Sequence, residues 1–246
     1  MSRERLERAW DELGLGPHWV RRVTAGIGEP ATSSQPGGDP DEPESAGDSW
    51  EAMRSEVSQC RLCGLCESRR QTVFGGGSLQ ARWMLIGEAP GADEDAQGEP
   101  FVGMAGRLLD QMLAAIQLSR ATDVFITNVL KCRPPGNRNP EPLEARTCSA
   151  YLHRQIELLQ PDLILLLGRF AVQSVLDTDA SVASLRQRVH HYRARQRAIP
   201  VVCTYHPAYL LRNLPDKRKS WEDLCLAQDV AAQEQAARCA GAGTSA

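Results

Sequence analysis

Residues 83–101 read WMLIGEAPGADEDAQGEPF, an apolar run that changes abruptly into a small, acidic and glycine-rich segment. Residues 83–86 are typical of a short strand that is buried on both faces. Gly87 interrupts this strand, and Pro90 prevents it from continuing because proline has no backbone N–H to donate. The apolar spacing of residues 104–116 then predicts a helix. A strand, a glycine loop and a helix in this order place the loop at the carboxyl edge of a sheet, where open α/β folds bind ligands.

Three further apolar runs predict strands at residues 123–127, 163–167 and 200–204. Helical patterns separate them, and long helices are expected at residues 140–159 and 217–237. Strands that alternate with helices form a mainly parallel sheet between two helical layers. The sequence therefore predicts an α/β fold, a three-layer α/β/α sandwich around a central, mainly parallel four-stranded sheet.

The first 49 residues differ in composition from the rest of the chain. Residues 1–23 contain one short amphipathic helical pattern, which is too short to fold alone and whose protein partner, if it has one, is unknown. Residues 24–49 are rich in Pro, Gly, Ser and acidic residues, so we predict a disordered linker. The folded domain is expected at residues 50–238, followed by a frayed tail at residues 239–246.

The formal net charge is −3, which is unusual for a protein that binds nucleic acid. Residues 25–49 hold six acidic and no basic side chains, so the remainder of the chain carries +3. Basic residues also cluster at 186–197 and at 217–219. The charge therefore leaves a nucleic-acid partner open. No apolar run approaches the roughly 18 residues that a membrane helix needs. The amino terminus is too charged for a secretory signal, so a soluble, cytoplasmic protein is expected.

Cys60, Cys63 and Cys66 follow one another at intervals of three residues. Disulfides are rare in the cytoplasm, so this density favours a metal or iron–sulfur site. Three thiolates at this spacing match the beginning of a ferredoxin-type run, but a fourth cysteine does not follow. At least one further ligand must therefore come from elsewhere in the chain.

Four segments of the chain resemble the iron–sulfur (family 4) uracil-DNA glycosylases and occur in that family's order. They are the cysteines at 60 and 63, GEAPG at 87–91 with PFVG at 100–103, TNVLKCRPPGNRNP at 127–140 with Cys148 beyond, and YHPAYLLR at 205–212. The resemblance extends from about residue 60 to about residue 224. It implies the α/β/α sandwich and a hydrolase of base-excision repair. Such an enzyme flips uracil out of single- or double-stranded DNA and hydrolyses its N-glycosidic bond.

The same resemblance implies a [4Fe–4S] cluster held by Cys60, Cys63, Cys132 and Cys148. Cys66 departs from the family's pattern, so whether it contacts the cluster is open. Zinc in the same four thiolates is the alternative, because Zn²⁺ also accepts four cysteines. A hydrolase does not require redox chemistry, so we expect the cluster to be structural or to orient the DNA.

The uracil-binding residues implied by the resemblance lie at three predicted strand ends. Uracil offers a donor at N3 and an acceptor at O4, and the side-chain amide of Asn128 matches both. Cytosine reverses this pattern, and each mispaired buried group costs roughly 1–3 kcal/mol. Phe101 is expected to stack on the extruded base. Backbone groups of Gly87, Glu88 and Ala89 are expected to line the O2 side.

His206 is predicted to stabilise the negative charge that develops at uracil O2 when the glycosidic bond breaks. Relatives in the wider superfamily carry an aspartate where this chain has Ala89. Glu88 is therefore the first candidate to orient the attacking water, with Asp93 and Glu94 behind it. Those relatives also carry a methyl-excluding tyrosine where Gly91 stands, so another group must exclude thymine.

The loop after His206 is expected to contact the DNA. Extrusion of a base leaves a gap in the stack, and Leu210 matches the family position that fills it. Arg212 and Lys217, with the basic residues beside Lys217, are expected to hold phosphates. A monomer associated with the nucleoid is expected.

Two other interpretations compete with this one. A DNA-binding iron–sulfur protein could sense uracil without excising it, or trap the DNA covalently through an inserted histidine loop. The missing aspartate supports the first form, whereas no such insertion precedes His206, and residues 188–191 are the nearest match to one. A nucleotide- or flavin-binding protein is disfavoured because no phosphate-binding glycine pattern follows the first strand.

Overall fold

The computed structural model describes residues 49–242. The predicted helical segment at 1–23, the linker up to residue 48 and the last residues of the tail, 243–246, lie outside the described residues. Ser49, the last residue of the predicted linker, caps the first helix, since its Oγ accepts the N–H of Ala52 at 3.1 Å. The first described helix therefore begins at Trp50, and the predicted domain boundaries stay a prediction.

The main described elements follow in the order helix, two strands, two helices, strand, helix, strand, helix, two strands and helix. They are α1 (Trp50–Gln59), β1 (Gly76–Gly77), β2 (Trp83–Gly87), α2 (Ala92–Gln97), α3 (Met104–Ala115), β3 (Val124–Asn128), α4 (Pro142–Leu159), β4 (Leu163–Leu167), α5 (Arg169–Leu176), β5 (Val189–Arg193), β6 (Ala198–Thr204) and α6 (Lys217–Ala242). Single helical turns lie at Leu65–Ser68, Val182–Leu185 and Pro207–Leu210, and 3₁₀ turns at Pro135–Asn137 and Leu214–Asp216.

The sheet has six strands in the order β1-β3-β2-β4-β6-β5. The four central strands are parallel and are the four that the apolar runs predict, so the α/β class is confirmed. The prediction of four strands was wrong in number, because antiparallel strands β1 and β5 form the two edges. Neither edge has an apolar run: β1 is two glycines, and β5 reads VHHYR, with side chains that alternate between exposed and half-buried.

The two faces of the sheet bury separate apolar clusters, which gives the molecule its three layers. Along β2, Met84 and Ile86 point into a cluster completed by α1, α4 and α5. Leu85 points into the opposite cluster, which α3 and α6 complete. Alternate residues of a strand face opposite sides, so an uninterrupted apolar strand requires a helical layer on each face.

Helix α6 closes the chain and extends to Ala242, beyond the end predicted near residue 237. The added turn, residues 238–242, reads RCAGA. Arg238 on this turn also forms an ion pair with Asp162 at 2.9 Å. Among the helices that the structure describes, none is both long enough and apolar enough to cross a membrane.

Candidate active site and cysteine cavity

A cleft opens at the carboxyl edge of the parallel strands, as the order of strand, loop and helix predicts. Its volume of about 410 Å³ lies within the range of small-molecule sites, about 300–1,000 Å³. Register explains how the site assembles, because Gly87 at the end of β2 pairs with Asn128 at the end of β3. The cleft brings together six of the predicted residues, namely Glu88, Ala89, Phe101, Asn128, His206 and Arg212.

Gly87 lies directly behind the Asn128 amide and the Phe101 ring. A Cβ added at Gly87 would stand 2.4 Å from Asn128 Oδ1 and 2.6 Å from Phe101 Cζ. These distances are too short for any side chain, so the close approach requires glycine at this position. The role of Gly87 is therefore to make room for the two side chains that reach the cleft.

Phe101 adopts a left-handed backbone conformation, with φ of 55°. Arg120 holds it there, since its Nη1 donates to Pro100 O at 2.6 Å and its Nη2 to Phe101 O at 2.8 Å. Gly106 in α3 allows the approach from the other side, because a Cβ there would lie 1.7 Å from Phe101 O. Left-handed backbone is unfavourable for a bulky residue, and such strain concentrates at functional sites.

Asn128 has a side chain that is 2 % exposed, and its Oδ1 has no hydrogen-bond partner among the described residues. A buried acceptor without a donor costs roughly 1–3 kcal/mol. A buried polar group of this kind at a cleft therefore indicates a ligand that supplies the missing donor.

His206 is held as a neutral imidazole. Its Nδ1 accepts the backbone N–H of Ala208 at 3.1 Å, which leaves the proton on Nε2. Burial lowers the pKa of His206 to about 4, helped by the charge of Arg212 and opposed by Glu94. The ring also stacks on Phe101, with centroids 5.4 Å apart. At neutral pH His206 therefore offers an uncharged N–H donor.

Glu88 and Glu94 both line the cleft, but they are held differently. Burial raises the pKa of Glu88 to about 7, against an opposing effect of Arg169. The two oxygens of Glu94 accept backbone N–H groups of Gly91, Val102 and Gly103 at 2.9–3.1 Å. Glu94 therefore ties the glycine loop to the start of α3, and Glu88 is the carboxyl group with free oxygen capacity.

Asn137 and Arg138 also line the cleft, although the sequence analysis gave them no role. Asn137 has a left-handed φ of 56°, and its Oδ1 accepts from Arg133 Nε at 2.7 Å. Arg138 donates two hydrogen bonds to Glu144, at 2.6 and 2.9 Å. The sequence signal was an asparagine beside a glycine, since asparagine tolerates left-handed backbone better than most residues.

The loop after His206 differs from its prediction at one residue. Leu210 is only 1 % exposed, because the turn Pro207–Leu210 packs against α3 and directs this side chain inward. As folded, Leu210 therefore does not face a DNA duplex, whereas Leu211 is 37 % exposed. Arg212 is exposed and lines the cleft, and Lys217 is half-buried at the start of α6, outside the cleft lining.

Five cysteines line one small cavity. They are Cys60, Cys63, Cys66, Cys132 and Cys148. Within residues 49–242, no three His, Cys, Asp or Glu side chains stand close enough to hold a single metal ion. The thiols therefore surround a common space without converging on one point.

Two cationic residues contact these thiols. Arg69 donates from Nη1 to Cys132 Sγ at 2.9 Å and from Nη2 to Cys60 O at 2.7 Å. The backbone N–H of Lys131 donates to Cys148 Sγ at 3.3 Å. Donors of this kind stabilise a sulfur that carries negative charge.

Comparison with known proteins agrees with this geometry. A family model described as the uracil DNA glycosylase superfamily matches residues 74–227. The type-4 uracil-DNA glycosylase of Archaeoglobus fulgidus is 44% identical over 171 residues, which cover 68% of this chain and 85% of that protein. The type-4 uracil-DNA glycosylase of Sulfurisphaera tokodaii is 42% identical over 180 residues, which cover 72% of this chain and 81% of that protein. The type-4 uracil-DNA glycosylase of Thermotoga maritima is 41% identical over 164 residues, which cover 66% of this chain and 83% of that protein. The family match includes every strand of the described sheet.

Proposed function

The chain belongs to the uracil-DNA glycosylase superfamily, with type-4 enzymes among its relatives, and we propose that its cleft excises uracil with the residues described above. The activity is that of a hydrolase acting on the N-glycosidic bond of uracil in DNA. The observation that best supports this use of the cleft is the buried Asn128 Oδ1 without a donor, beside the neutral His206. We propose that the protein acts as a monomer. We propose that it acts on nucleoid DNA in the cytoplasm.

Asn128 is proposed to read the base. The uracil N3–H supplies the donor that Asn128 Oδ1 lacks, and the side-chain N–H then donates to O4. Cytosine would present an acceptor to Oδ1 and a donor to the amide N–H, so both contacts would fail. Phe101 supplies the face on which the extruded base stacks, beside the backbone of the Gly87–Ala89 segment.

His206 is proposed to stabilise the leaving uracil. As the glycosidic bond breaks, negative charge grows on O2, and the Nε2–H of a neutral imidazole can donate to it. A preorganised donor aimed at a charge that exists mainly in the transition state lowers the barrier without tightening ground-state binding. The Ala208 N–H supports this role because it fixes the tautomer.

Glu88 is proposed to orient the attacking water and to balance the positive charge on the sugar. Ala89 has no ionisable group, and the oxygens of Glu94 are already engaged with backbone N–H groups. A carboxyl group with a pKa of about 7 is ionised in about half of the molecules at neutral pH. Asp93 is exposed and lies outside the cleft lining, so we assign the base role to Glu88 among the three carboxyl groups considered.

DNA contact is proposed for the loop after His206, with one change from the sequence-based assignment. Because Leu210 is buried against α3, the exposed Leu211 is the better placed residue to enter the gap left by the base. Arg212 lies next to it and at the cleft, where it can hold a phosphate. Lys217 lies further along and is proposed to make a peripheral phosphate contact.

The cysteine cavity fits a [4Fe–4S] cluster in its donor chemistry, since four thiolates are the usual ligands of such a cluster. Cys60, Cys63, Cys132 and Cys148 are proposed to hold it. A four-iron cluster is larger than one ion, so its ligands surround a space, as these thiols do. When bound, the cluster would supply a covalent cross-link that joins the Cys60–Cys63 loop to Cys132 in the connection after β3 and to Cys148 on α4. Arg69 and the Lys131 N–H are then donors to its thiolates.

The cluster assignment predicts that the purified protein contains about four irons per chain and absorbs broadly at about 400 nm. Cys132→Ser and Cys148→Ser should lose the iron and most of the soluble yield, because each removes a ligand. Cys66→Ser, which alters a neighbouring thiol of the same cavity, is the matched control and should keep both. A colourless protein that contains zinc and has full activity would contradict the assignment.

The reaction itself is tested with a uracil-containing oligonucleotide, treated with alkali after incubation to cleave abasic sites. We expect strand cleavage with uracil and none with thymine in the same sequence. The single-turnover rate should rise between about pH 5.5 and 8, because Glu88 acts as the carboxylate and loses that form as pH falls below its pKa of about 7. His206 stays neutral throughout this window, since its pKa is about 4.

Glu88→Gln provides the control for the pH profile. Glutamine cannot ionise, so this variant should show a lower rate that no longer rises through pH 7. A wild-type rate that is flat over this range, or an unchanged profile in Glu88→Gln, would remove Glu88 from the base role. Binding of uracil-containing DNA without cleavage at any pH would instead favour a sensor of uracil that does not excise it.

A further inference from the structure

Lys131 is buried in the middle of the domain, with its residue only 1 % exposed. Its ammonium donates to three neutral acceptors, Thr127 Oγ1, the backbone O of Asn128 and Gln155 Oε1, each at 2.7 Å. Within residues 49–242 no carboxylate forms an ion pair with it. All three N–H groups of the ammonium therefore donate hydrogen bonds, and no carboxylate of the described residues balances its positive charge.

A buried ammonium without an acidic partner is expensive, because the charge loses its hydration. Methionine has a similar length and would fill the same space without this cost, as the replacement of other buried charges by apolar residues shows. Packing alone therefore does not account for a lysine at this position. The directions of its three hydrogen bonds indicate what the charge contributes.

Each acceptor of Lys131 belongs to the end of β3 or to the helix behind it. Asn128 is the residue whose amide faces the cleft, and the ammonium holds its backbone carbonyl. Gln155 on α4 binds the same ammonium, and its Nε2 donates to Phe74 O at 2.8 Å. Thr127 Oγ1 donates to the same carbonyl at 3.0 Å. The lysine thus joins the last residues of β3 to a closed network of buried polar groups.

The backbone of Lys131 is fixed as well. Its carbonyl accepts from the N–H of Val73 at 2.8 Å, and its N–H donates to Cys148 Sγ on α4. One residue therefore contacts the Asn128 backbone with its side chain and the cysteine cavity with its main chain. A shift of α4 or of the Cys148 thiol would reach Asn128 through this residue.

We propose that Lys131 is a positioning residue for uracil recognition. Its ammonium fixes the backbone of Asn128 so that the Asn128 amide meets the base. The same residue connects Asn128 to α4, the helix that carries Cys148. The inference rests on the proposed role of Asn128. It adds that the geometry of base reading depends on a charge outside the cleft. Lys131 is not among the cleft-lining residues, so it acts through Asn128 and not on the base.

Lys131→Met tests the proposal because it keeps the length of the side chain and removes the charge. We expect the single-turnover excision rate to fall by about 10- to 100-fold, the effect of a misplaced group of the order of 1 Å. Inhibition by free uracil should weaken as well. Iron content and visible absorbance should stay at the wild-type level, whereas the melting temperature should fall, because three buried acceptors lose their donor. If the rate and uracil inhibition are unchanged, Lys131 has no positioning role.

A double-mutant cycle with Asn128→Ala separates positioning from any other effect. If Lys131 acts through Asn128, Lys131→Met should cause little further loss in the Asn128→Ala background. Losses that multiply would overturn the proposal and leave the role of Asn128 intact. A normal rate in Asn128→Ala alone would instead refute the base-reading function itself.

Thr127→Val supplies a second test if Lys131→Met does not fold. It removes one acceptor of the ammonium with almost no change of volume, and it leaves the contact to Asn128 O in place. We expect a loss in the same direction, smaller than that of Lys131→Met, and again absent in the Asn128→Ala background. A Thr127→Val enzyme that is stable and fully active would count against the network.

Discussion

Replacement of His206 by alanine should lower the single-turnover rate of uracil excision by about 10²–10³, the usual effect of losing one donor to a developing oxyanion. Binding to the abasic product should change little, because the charge on O2 exists mainly in the transition state. Burial keeps the pKa of His206 at about 4, so the ring is neutral at pH 7. Its Nδ1 accepts from Ala208 N–H, and its Nε2–H is left as the donor to O2.

The His206→Ala experiment needs a control for the local turn. His206 also caps the turn Pro207–Leu210, where Nδ1 accepts the N–H of Ala208. Asparagine is a good cap but does not reproduce the imidazole Nε2–H, so His206→Asn should keep the turn and lose the rate. If His206→Asn recovers the wild-type rate while His206→Ala does not, the histidine acts through the loop and not on uracil.

Asn128→Asp should lose most uracil excision, with a fall of about 10²–10⁴ in rate, and should gain a trace of activity on cytosine. An ionised carboxylate still accepts from uracil N3–H but turns a second acceptor toward O4. One mispaired buried contact costs roughly 1–3 kcal/mol, and more when one of the groups is charged, which corresponds to this range. An ionised aspartate offers two acceptors to a base edge that carries one donor and one acceptor. If it is protonated in the closed pocket, its O–H can donate to cytosine N3 while the other oxygen accepts from N4.

The measurement compares uracil and cytosine at the same position of one oligonucleotide, in the single-turnover regime. Asn139→Asp is the matched control, since it adds the same charge to an exposed asparagine outside the cleft lining. That variant should keep the wild-type rate of uracil excision, although its added negative charge should weaken binding of the DNA phosphates. An unchanged rate in Asn128→Asp would show that Asn128 does not read the base.

Much of the fold was accessible from local pattern. The four parallel strands are uninterrupted apolar runs whose every residue is buried in β2, β3 and β4, and a run of that kind has few alternatives. The two edge strands were not predicted, because an edge strand is half solvated. The residues of β5 alternate between exposed and half-buried, and β1 consists of two glycines, which have no side chains to form a pattern. Pattern recognition depends on burial, and it fails where burial is partial.

The sequence predicted which residues of the proposed site lie at one edge of the sheet, but not their solvation or hydrogen-bond partners. Order and spacing brought Glu88, Asn128 and His206 to one sheet edge, because parallel strands share that edge. No local signal could show that Glu94 is engaged by three backbone N–H groups, or that Leu210 turns inward against α3. Both depend on residues that belong to other elements.

The sequence by itself therefore determined the parallel core, which follows from the period and length of its apolar runs. The cysteine set and the site residues came from the resemblance to a family and stay proposals. Tertiary structure decided which of those residues are free to act. It made His206 neutral, left Asn128 Oδ1 without a donor and placed Lys131 between Asn128 and Cys148. The physical reason is that solvation and hydrogen-bond partners are properties of neighbours in space. In this chain those neighbours, such as Lys131 and Gln155, are separated by many residues in sequence.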